Sequence, residues 1–227
     1  MADAFDGVQA CVFDAYGTLF DYASAAAGCT DALGDRAAAL TGLWRDKQIQ
    51  YSFWRAAHGR HADFWQVTGE ALDYAMETLG LADARLRKRL MELYLSLTPF
   101  PEVPALLEQL QRRGMRMAIL SNGAPWMLQS LVDQAGLADR FEALLSVEEV
   151  GAFKPHPKVY KLAVDRLGVP ARAISFQSSN GWDAHAASSF GMRVVWCNRT
   201  NQRRERLPGA PDRIVTSLAE LPAILGV

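Results

Sequence analysis

At 227 residues, 50% hydrophobic and 22% charged, the chain has the size and make-up of an ordinary globular protein with a substantial apolar interior. Its 24 Lys and Arg against 25 Asp and Glu give a net charge of -1, which excludes a sequence-independent attraction to nucleic acid or anionic membrane and leaves small metabolites as the expected ligands. The cysteines Cys11, Cys29 and Cys197 are odd in number and form no Cys-x-x-Cys pair, so buried free thiols are expected rather than a disulfide framework or a zinc site.

The first residues, Met1 to Gly7, have neither the basic nor the apolar region of a leader peptide. No apolar run approaches the ~20 residues of a membrane helix, so a cytoplasmic location is expected. An apolar strand, about Ala10 to Asp14, then ends abruptly in a carboxylate followed by the Gly17-Thr18 turn. From Ser24 to Leu97 the pattern is helical instead. Leu40, Leu43, Trp44, Tyr51 and Trp54 mark a first long helix, Phe64, Trp65, Leu72, Ala75, Met76 and Leu79 a second, and Leu86, Leu90, Leu93, Tyr94 and Leu97 a third, ended by Pro99 and Pro101. Beyond Pro101 helices and strands alternate. Strands are expected at Arg116 to Leu120, Ala143 to Ser146, Ala173 to Gln177, Arg193 to Cys197 and Arg213 to Val215. Helices are expected at Pro104 to Arg113, Pro125 to Ala135, Pro157 to Leu167, Asp183 to Phe190 and Leu218 to Leu225. The arrangement predicts an α/β fold, a Rossmann-like parallel sheet covered by helices on both faces, with an inserted all-helical cap subdomain. The boundaries expected are residues 1–20 and 99–227 for the core and 21–98 for the cap. The basic cluster Arg199, Arg203, Arg204 and Arg206 reads as a solvated loop.

Polar residues follow strand after strand. Ser121-Asn122-Gly123 follows one, Ser178-Ser179-Asn180-Gly181-Trp182-Asp183 another, and Lys154 sits on a proline-braced loop before a helix. In a parallel sheet all strand C-termini share one edge, so Asp14, Thr18, Ser121, Lys154, Ser178, Asn180 and Asp183 are expected to converge there. Taken singly, each is explained as well by a turn or a cap; Asp183, for one, suits a helix N-cap.

Asp-x-x-x-Thr on the first strand, Ser-Asn after the next, Lys-Pro on a loop and an acid after the fourth resemble the haloacid dehalogenase superfamily over nearly the whole chain, with the helical block where that superfamily inserts a cap. Most members are Mg-dependent phosphatases with a second acid two residues after the nucleophile and paired acids in the last motif. Tyr16 and the Ser178-Ser179-Asn180 run stand there instead, which weakens an oxygen-rich Mg²⁺ site. It also removes the acid that would protonate a leaving alcohol. Phe-Asp-Ala-Tyr-Gly-Thr, Ser-Asn-Gly, Phe-Lys-Pro and Ser-Ser-Asn-x-Trp-Asp look like the (S)-2-haloacid dehalogenases in particular, with small departures at Asp46, after Arg45, and His156, after Pro155; the resemblance speaks more to reaction class than to substrate range.

The resemblance implies a hydrolase that needs no metal or other cofactor and releases halide from short 2-haloacids. Asp14 would attack C2, and water would then attack the resulting ester at Asp14, giving the (R)-2-hydroxy acid. Arg45 would cradle the departing anion, with Asn122 and Trp182 near the halide. Lys154 would favour the ionised form of Asp14. Asp183, directly or through Lys154, would activate water. Thr18, Ser121, Tyr160, Ser178 and Asn180 would hold Asp14 and the substrate carboxylate. Tyr16, Ile49, Phe64 and Trp182 would form an apolar pocket, although Tyr160 and Phe64 fit plain core packing equally. The resemblance implies a homodimer; Trp44, Tyr51 and Trp54 suit a contact face or the cap interior. Two other readings remain open at this point: a Mg-dependent phosphatase with a substituted site, and a non-catalytic protein that binds a small carboxylate. No Gly-x-Gly-x-x-Gly follows the first strand, which argues against a dinucleotide oxidoreductase.

Overall fold

The computed structural model describes residues 5–81 and 83–227; residues 1–4, which include most of the start read above for a leader, lie outside the described residues, as does Ala82. Six parallel strands form one sheet: β1 (Ala10–Phe13), β2 (Arg116–Ser121), β3 (Ala143–Ser146), β4 (Ile174–Ser178), β5 (Arg193–Cys197) and β6 (Arg213–Val215), in the order β3-β2-β1-β4-β5-β6. All of β1 and β4 is buried, as the central strands of a doubly covered sheet are, although only β1 is a continuous apolar run and β4 carries Ser175, Gln177 and Ser178. β1 lies between β2 and β4, so the chain reverses its direction of strand addition beside it. That reversal opens a crevice at the strand C-termini, the place where open α/β sheets bind ligands.

Between β1 and β2 the chain is helical: α1 (Ser24–Ala27), α2 (Thr30–Leu33), α3 (Ala37–His58), α4 (Phe64–Thr78) and α5 (Ala84–Tyr94), followed by α6 (Val103–Arg112) on the sheet. Local chemistry sets the ends. Gly59, at φ 62°, stops α3. The Asp63 side chain accepts the Trp65 N–H at 2.6 Å to start α4, and Asp83 accepts those of Arg85 and Leu86 to start α5. The two ends of the insertion are stitched together, since the Asp21 N–H donates to the Thr98 carbonyl at 2.8 Å and that of Phe100 to Leu19 at 2.9 Å. The remaining helices alternate with strands: α7 (Pro125–Gln134), α8 (Pro157–Leu167), α9 (Gly181–Phe190) and α10 (Leu221–Leu225). Among the described residues no helix is long and apolar enough to cross a membrane.

The differences from the sequence reading are local. β2 runs one residue further, through Ser121, and β4 is shifted by one, ending on Ser178, because both keep pairing with their neighbours to the sheet edge. α9 begins at Gly181, so Asp183 lies inside its first turn and Asn180 takes the N-cap position. All three cysteines are free and buried. Trp44 is buried and donates from its indole nitrogen to the Thr68 carbonyl at 2.8 Å, whereas Trp54 is 60% exposed.

Candidate active site

Asp14 follows the last residue of β1, and its N–H donates to the Gln177 carbonyl at 2.9 Å, extending the β1–β4 ladder by one step and fixing the carboxylate at the sheet edge. Gly17, at φ 84°, then turns the chain back through a conformation that a side chain resists. The turn brings Thr18 Oγ1 to donate to Asp14 Oδ2 at 3.0 Å. From the segment between β4 and α9, Asn180 Nδ2 donates to the same oxygen at 2.9 Å and Ser178 Oγ at 3.5 Å. Oδ2 thus sits among three donors, while among the described residues Oδ1 accepts only from Lys154 Nζ, at 3.1 Å.

Lys154 reaches this point because its own N–H donates to Asn122 Oδ1 at 2.9 Å, clamping its loop to the end of β2. Its ammonium is 1% exposed and also donates to Asp183 Oδ2 at 2.9 Å. The far oxygen of Asp183 accepts from Tyr160 Oη at 2.7 Å. The result is a buried carboxylate–ammonium–carboxylate row. Burial pushes the Lys154 ammonium down, but the charges of Asp14 and Asp183 outweigh it and hold the group above its ordinary value. For Asp183 burial wins, and the charge of Asp14 adds to it, so this carboxyl is held above the usual range despite Lys154. Burial holds the Tyr160 hydroxyl well above its ordinary value, so it stays a neutral donor. Asp183 therefore does not act as a helix cap: its carboxylate is fully buried and engaged on both oxygens.

The opposite wall comes from the cap. Arg45, on α3, donates from Nη2 to Asn180 Oδ1 at 3.2 Å and the Tyr16 carbonyl at 3.4 Å, and from Nη1 to Gln48 Oε1 at 2.7 Å. Its guanidinium lies 5.1 Å from the Tyr22 ring centroid. Among the described residues it has no carboxylate partner. A narrow cleft lies between the two walls, lined by Asp14, Tyr16, Arg45, Gln48, Ile49, Ser52, Phe64, Ser121, Asn122, Lys154, Asn180 and Trp182. Lys154 is matched by its two carboxylates, so in this lining it is Arg45, without a carboxylate partner among the described residues, that favours an anionic ligand. Tyr16 stacks on Tyr94 at 5.3 Å between centroids and lies 5.6 Å from Phe64. A Cβ on Gly123 would stand 2.8 Å from the Tyr16 hydroxyl, so the Ser-Asn-Gly turn needs glycine there.

Of the residues singled out in the sequence, Thr18, Ser178, Asn180 and Lys154 meet on Asp14, and Arg45, Tyr16, Ile49, Phe64, Ser121, Asn122 and Trp182 line the cleft with it. Two sit differently from expectation. Tyr160 bonds Asp183 and not Asp14, and Ser121 Oγ accepts the Gly123 N–H at 3.1 Å while facing the cleft. Arg199 is not part of a solvated loop: it donates to the Thr18 carbonyl at 2.8 Å, pairs with Glu102 at 2.7 Å and stacks 3.7 Å over Phe100. Arg203, Arg204 and Arg206 are exposed. Sequence reasoning passed over Gln48, Ser52, Thr68, Tyr94 and Ser179. The available signal was the spacing of Gln48 and Ser52, one and two turns on from Arg45, which puts all three on one helix face.

The donor set does not suit Mg²⁺. Tyr16 occupies the position of a second acid, its hydroxyl is held well above its ordinary value by burial, and the ammonium of Lys154 stands between the two carboxylates that remain. Among the described residues no cluster of three or more His, Cys, Asp or Glu is placed to hold a metal.

A strand-end carboxylate in a parallel sheet, beneath a helical cap that contributes a lone guanidinium, defines a capped Rossmann-like hydrolase. A profile described as haloacid dehalogenase-like hydrolase matches residues 8–191. The chain is 45% identical over 214 residues to an (S)-2-haloacid dehalogenase of Pseudomonas sp. (strain YL), covering 94% of this chain and 92% of that one. It superposes with a TM-score of 0.90 on the L-2-haloacid dehalogenase of Xanthobacter autotrophicus with chloropropionic acid covalently bound, at 41% identity over 96% of this chain and 98% of that one. A further solved dehalogenase matches with a TM-score of 0.95 at 41% identity, covering 98% and 99% of the two chains. This protein belongs to the haloacid dehalogenase-like hydrolases.

Proposed function

We propose that the protein is an (S)-2-haloacid dehalogenase, which hydrolyses short 2-haloalkanoic acids to (R)-2-hydroxy acids and halide through an ester on Asp14 and without a metal. The observation that carries the reading is the pairing of charges across the cleft: Asp14, salt-bridged to Lys154, shares the cleft with an Arg45 that has no acid of its own among the described residues.

In this reading the substrate carboxylate and the departing halide are drawn by Arg45, with Asn122 and Trp182 beside the halide. Tyr16, Ile49 and Phe64 cover the alkyl group. Asp14 Oδ1, which has the fewer donors, attacks C2 as the carbon–halogen bond breaks and the halide leaves with the bonding pair. A halide needs no proton to leave, which fits a site with Tyr16 where a phosphatase carries its second acid. Oδ2 becomes the carbonyl oxygen of the ester. Water attacks the ester carbon, negative charge develops on Oδ2, and Thr18, Ser178 and Asn180 are already aimed at it. The water's proton passes to Lys154 as Lys154 gives one to Asp183, a transfer made less costly by the raised basicity of that buried carboxylate. Asp183 itself is absent from the cleft lining, so it acts through Lys154. Collapse breaks the acyl–oxygen bond, the leaving alkoxide takes a proton from Lys154 as Asp183 returns its own to Lys154, and the hydroxy acid departs with C2 inverted. Tyr160 positions Asp183, and Ser121 shapes the turn that carries Asn122.

The same reading takes residues 21–98 as the cap, and the protein as a cytoplasmic homodimer with exposed Trp54 and Tyr74 on its contact face. A monomeric mass of 25.0 kDa in sedimentation would remove the dimer from it. The function is tested by halide release from each enantiomer of 2-chloropropionate with and without EDTA. Chloride from the (S) enantiomer alone, undiminished by EDTA and lost in Asp14→Asn, is expected. Mg²⁺-dependent hydrolysis of phosphate esters in its place would overturn it.

A further inference from the structure

The cap holds a second feature that the reaction above does not use. Gln48 is 1% exposed, deep among α3, α4 and α5, at a position where an apolar side chain would be the ordinary choice. Its amide is fully engaged: Oε1 accepts from Arg45 Nη1 at 2.7 Å, and Nε2 donates to Thr68 Oγ1 at 2.8 Å and Tyr94 Oη at 3.0 Å. The direction of these bonds is fixed from outside. The single hydroxyl proton of Thr68 goes to the Phe64 carbonyl at 2.7 Å, so its oxygen is left to accept, and the amide must turn Nε2 toward α4 and Oε1 toward the guanidinium. Tyr94, the other anchor, stacks on Tyr16 in the nucleophile loop.

We propose that Gln48 is a positioning residue for Arg45, holding the guanidinium over Asp14 with a neutral acceptor so that its full charge is left for the substrate anion and the leaving halide. This inference rests on the reading of Arg45 as the anion cradle. A carboxylate at position 48 would hold the guanidinium equally well and cancel its charge. An apolar residue would leave Nη1 unpaired and the guanidinium free to turn. Thr68 is the strut that keeps the amide from flipping, while Tyr94 Oη lies within hydrogen-bond distance of both Nε2 and Oε1 and suits either orientation; the two connect the pocket wall at Phe64 and the aromatic stack at Tyr16 to the same residue.

Ester formation needs the cradle and ester hydrolysis does not, so single-turnover kinetics separates this role from general support of the fold. In Gln48→Met the rate of ester formation from (S)-2-chloropropionate falls about 10- to 100-fold, the loss expected for a hydrogen bond to a charged group, while ester hydrolysis stays within about twofold of wild type. Gln48→Glu, which keeps size and bonding, raises KM by about the same factor. Combining Gln48→Met with Arg45→Lys costs no more than Arg45→Lys alone, within about twofold. Equal slowing of both steps, or losses that multiply in the double variant, would overturn the proposal. If Gln48→Met does not fold, Gln48→Glu decides alone, and an unchanged KM overturns it. Wild-type turnover in the same assay is the control for the underlying reading. Failure of wild type to release halide defeats that reading, and unselective variants beside an active wild type defeat only this one.

Discussion

The two walls of the cleft handle buried charge in opposite ways. On the core side a cation lies between two carboxylates, Lys154 against Asp14 and Asp183, and every charge has a partner within 3.1 Å. On the cap side Arg45 has, among the described residues, only neutral acceptors, from Gln48, Asn180 and the Tyr16 carbonyl. A paired row is self-consistent without a ligand, and breaking it strands a charge. A lone guanidinium held by amides and carbonyls is complete only when an anion arrives. The core wall thus assembles the nucleophile, and the cap wall is reserved for the substrate.

Substitutions that strike one wall and spare the other sharpen this contrast. The largest effect is expected at the nucleophile: Asp14→Asn keeps the shape but cannot form the ester, and halide release should fall on the order of 10⁴-fold or more in a chloride-electrode assay. Survival of a tenth of the activity would move the nucleophile elsewhere. Lys154→Met should abolish turnover to a similar extent and in addition destabilise the fold by ~3–5 kcal/mol in denaturant titration at neutral pH, because Asp14 and Asp183 then face one another unneutralised. The sign with pH follows from Lys154 being held above its ordinary value of 10.5: its stabilising contribution is present in full below that pH and is lost as pH rises through the folded-state value. The stability gap between wild type and Lys154→Met should therefore persist to about pH 10 and close only at higher pH; a gap closing near neutrality contradicts the charge row.

Arg45→Lys, on the other wall, should lower kcat/KM about 100-fold yet leave the unfolding midpoint nearly unchanged, since it breaks no ion pair. A loss of stability as large as that of Lys154→Met would erase the distinction. Tyr160→Phe gives the smallest effect, about tenfold in kcat with KM unmoved, because it removes one hydrogen bond from Asp183 and none from the cleft.

The contrast also explains what could be read from the sequence. The core wall was legible because the sheet does the geometry: every parallel strand ends at one edge, so Asp14, Ser178 and Asn180 needed only their place after a strand to be brought together. Lys154 was legible for the same reason, through its loop between β3 and α8. The alternation of strands and helices likewise announced the fold, while the strand order depends on crossovers that no local pattern encodes. Arg45 came only from family resemblance. Gln48 and Thr68 were missed because a polar residue on a helix reads by default as solvent-facing, and Tyr94 because its place on the apolar face of its helix says nothing of the hydroxyl's partner; all three lie where three helices meet. Arg199 was misread in the same way, since its partners Glu102, Phe100 and Thr18 are distant in sequence. Residues ordered by backbone topology can be inferred locally, and those ordered by tertiary contact cannot.

The central claim, an ester on Asp14, is tested most directly by one turnover of (S)-2-chloropropionate in ¹⁸O-water with enzyme in excess, followed by mass analysis of the Asp14 peptide and of the product. The mechanism predicts label in the Asp14 carboxylate and none in the first equivalent of hydroxy acid. Label passing straight into the hydroxy acid, with Asp14 unlabelled, would contradict it.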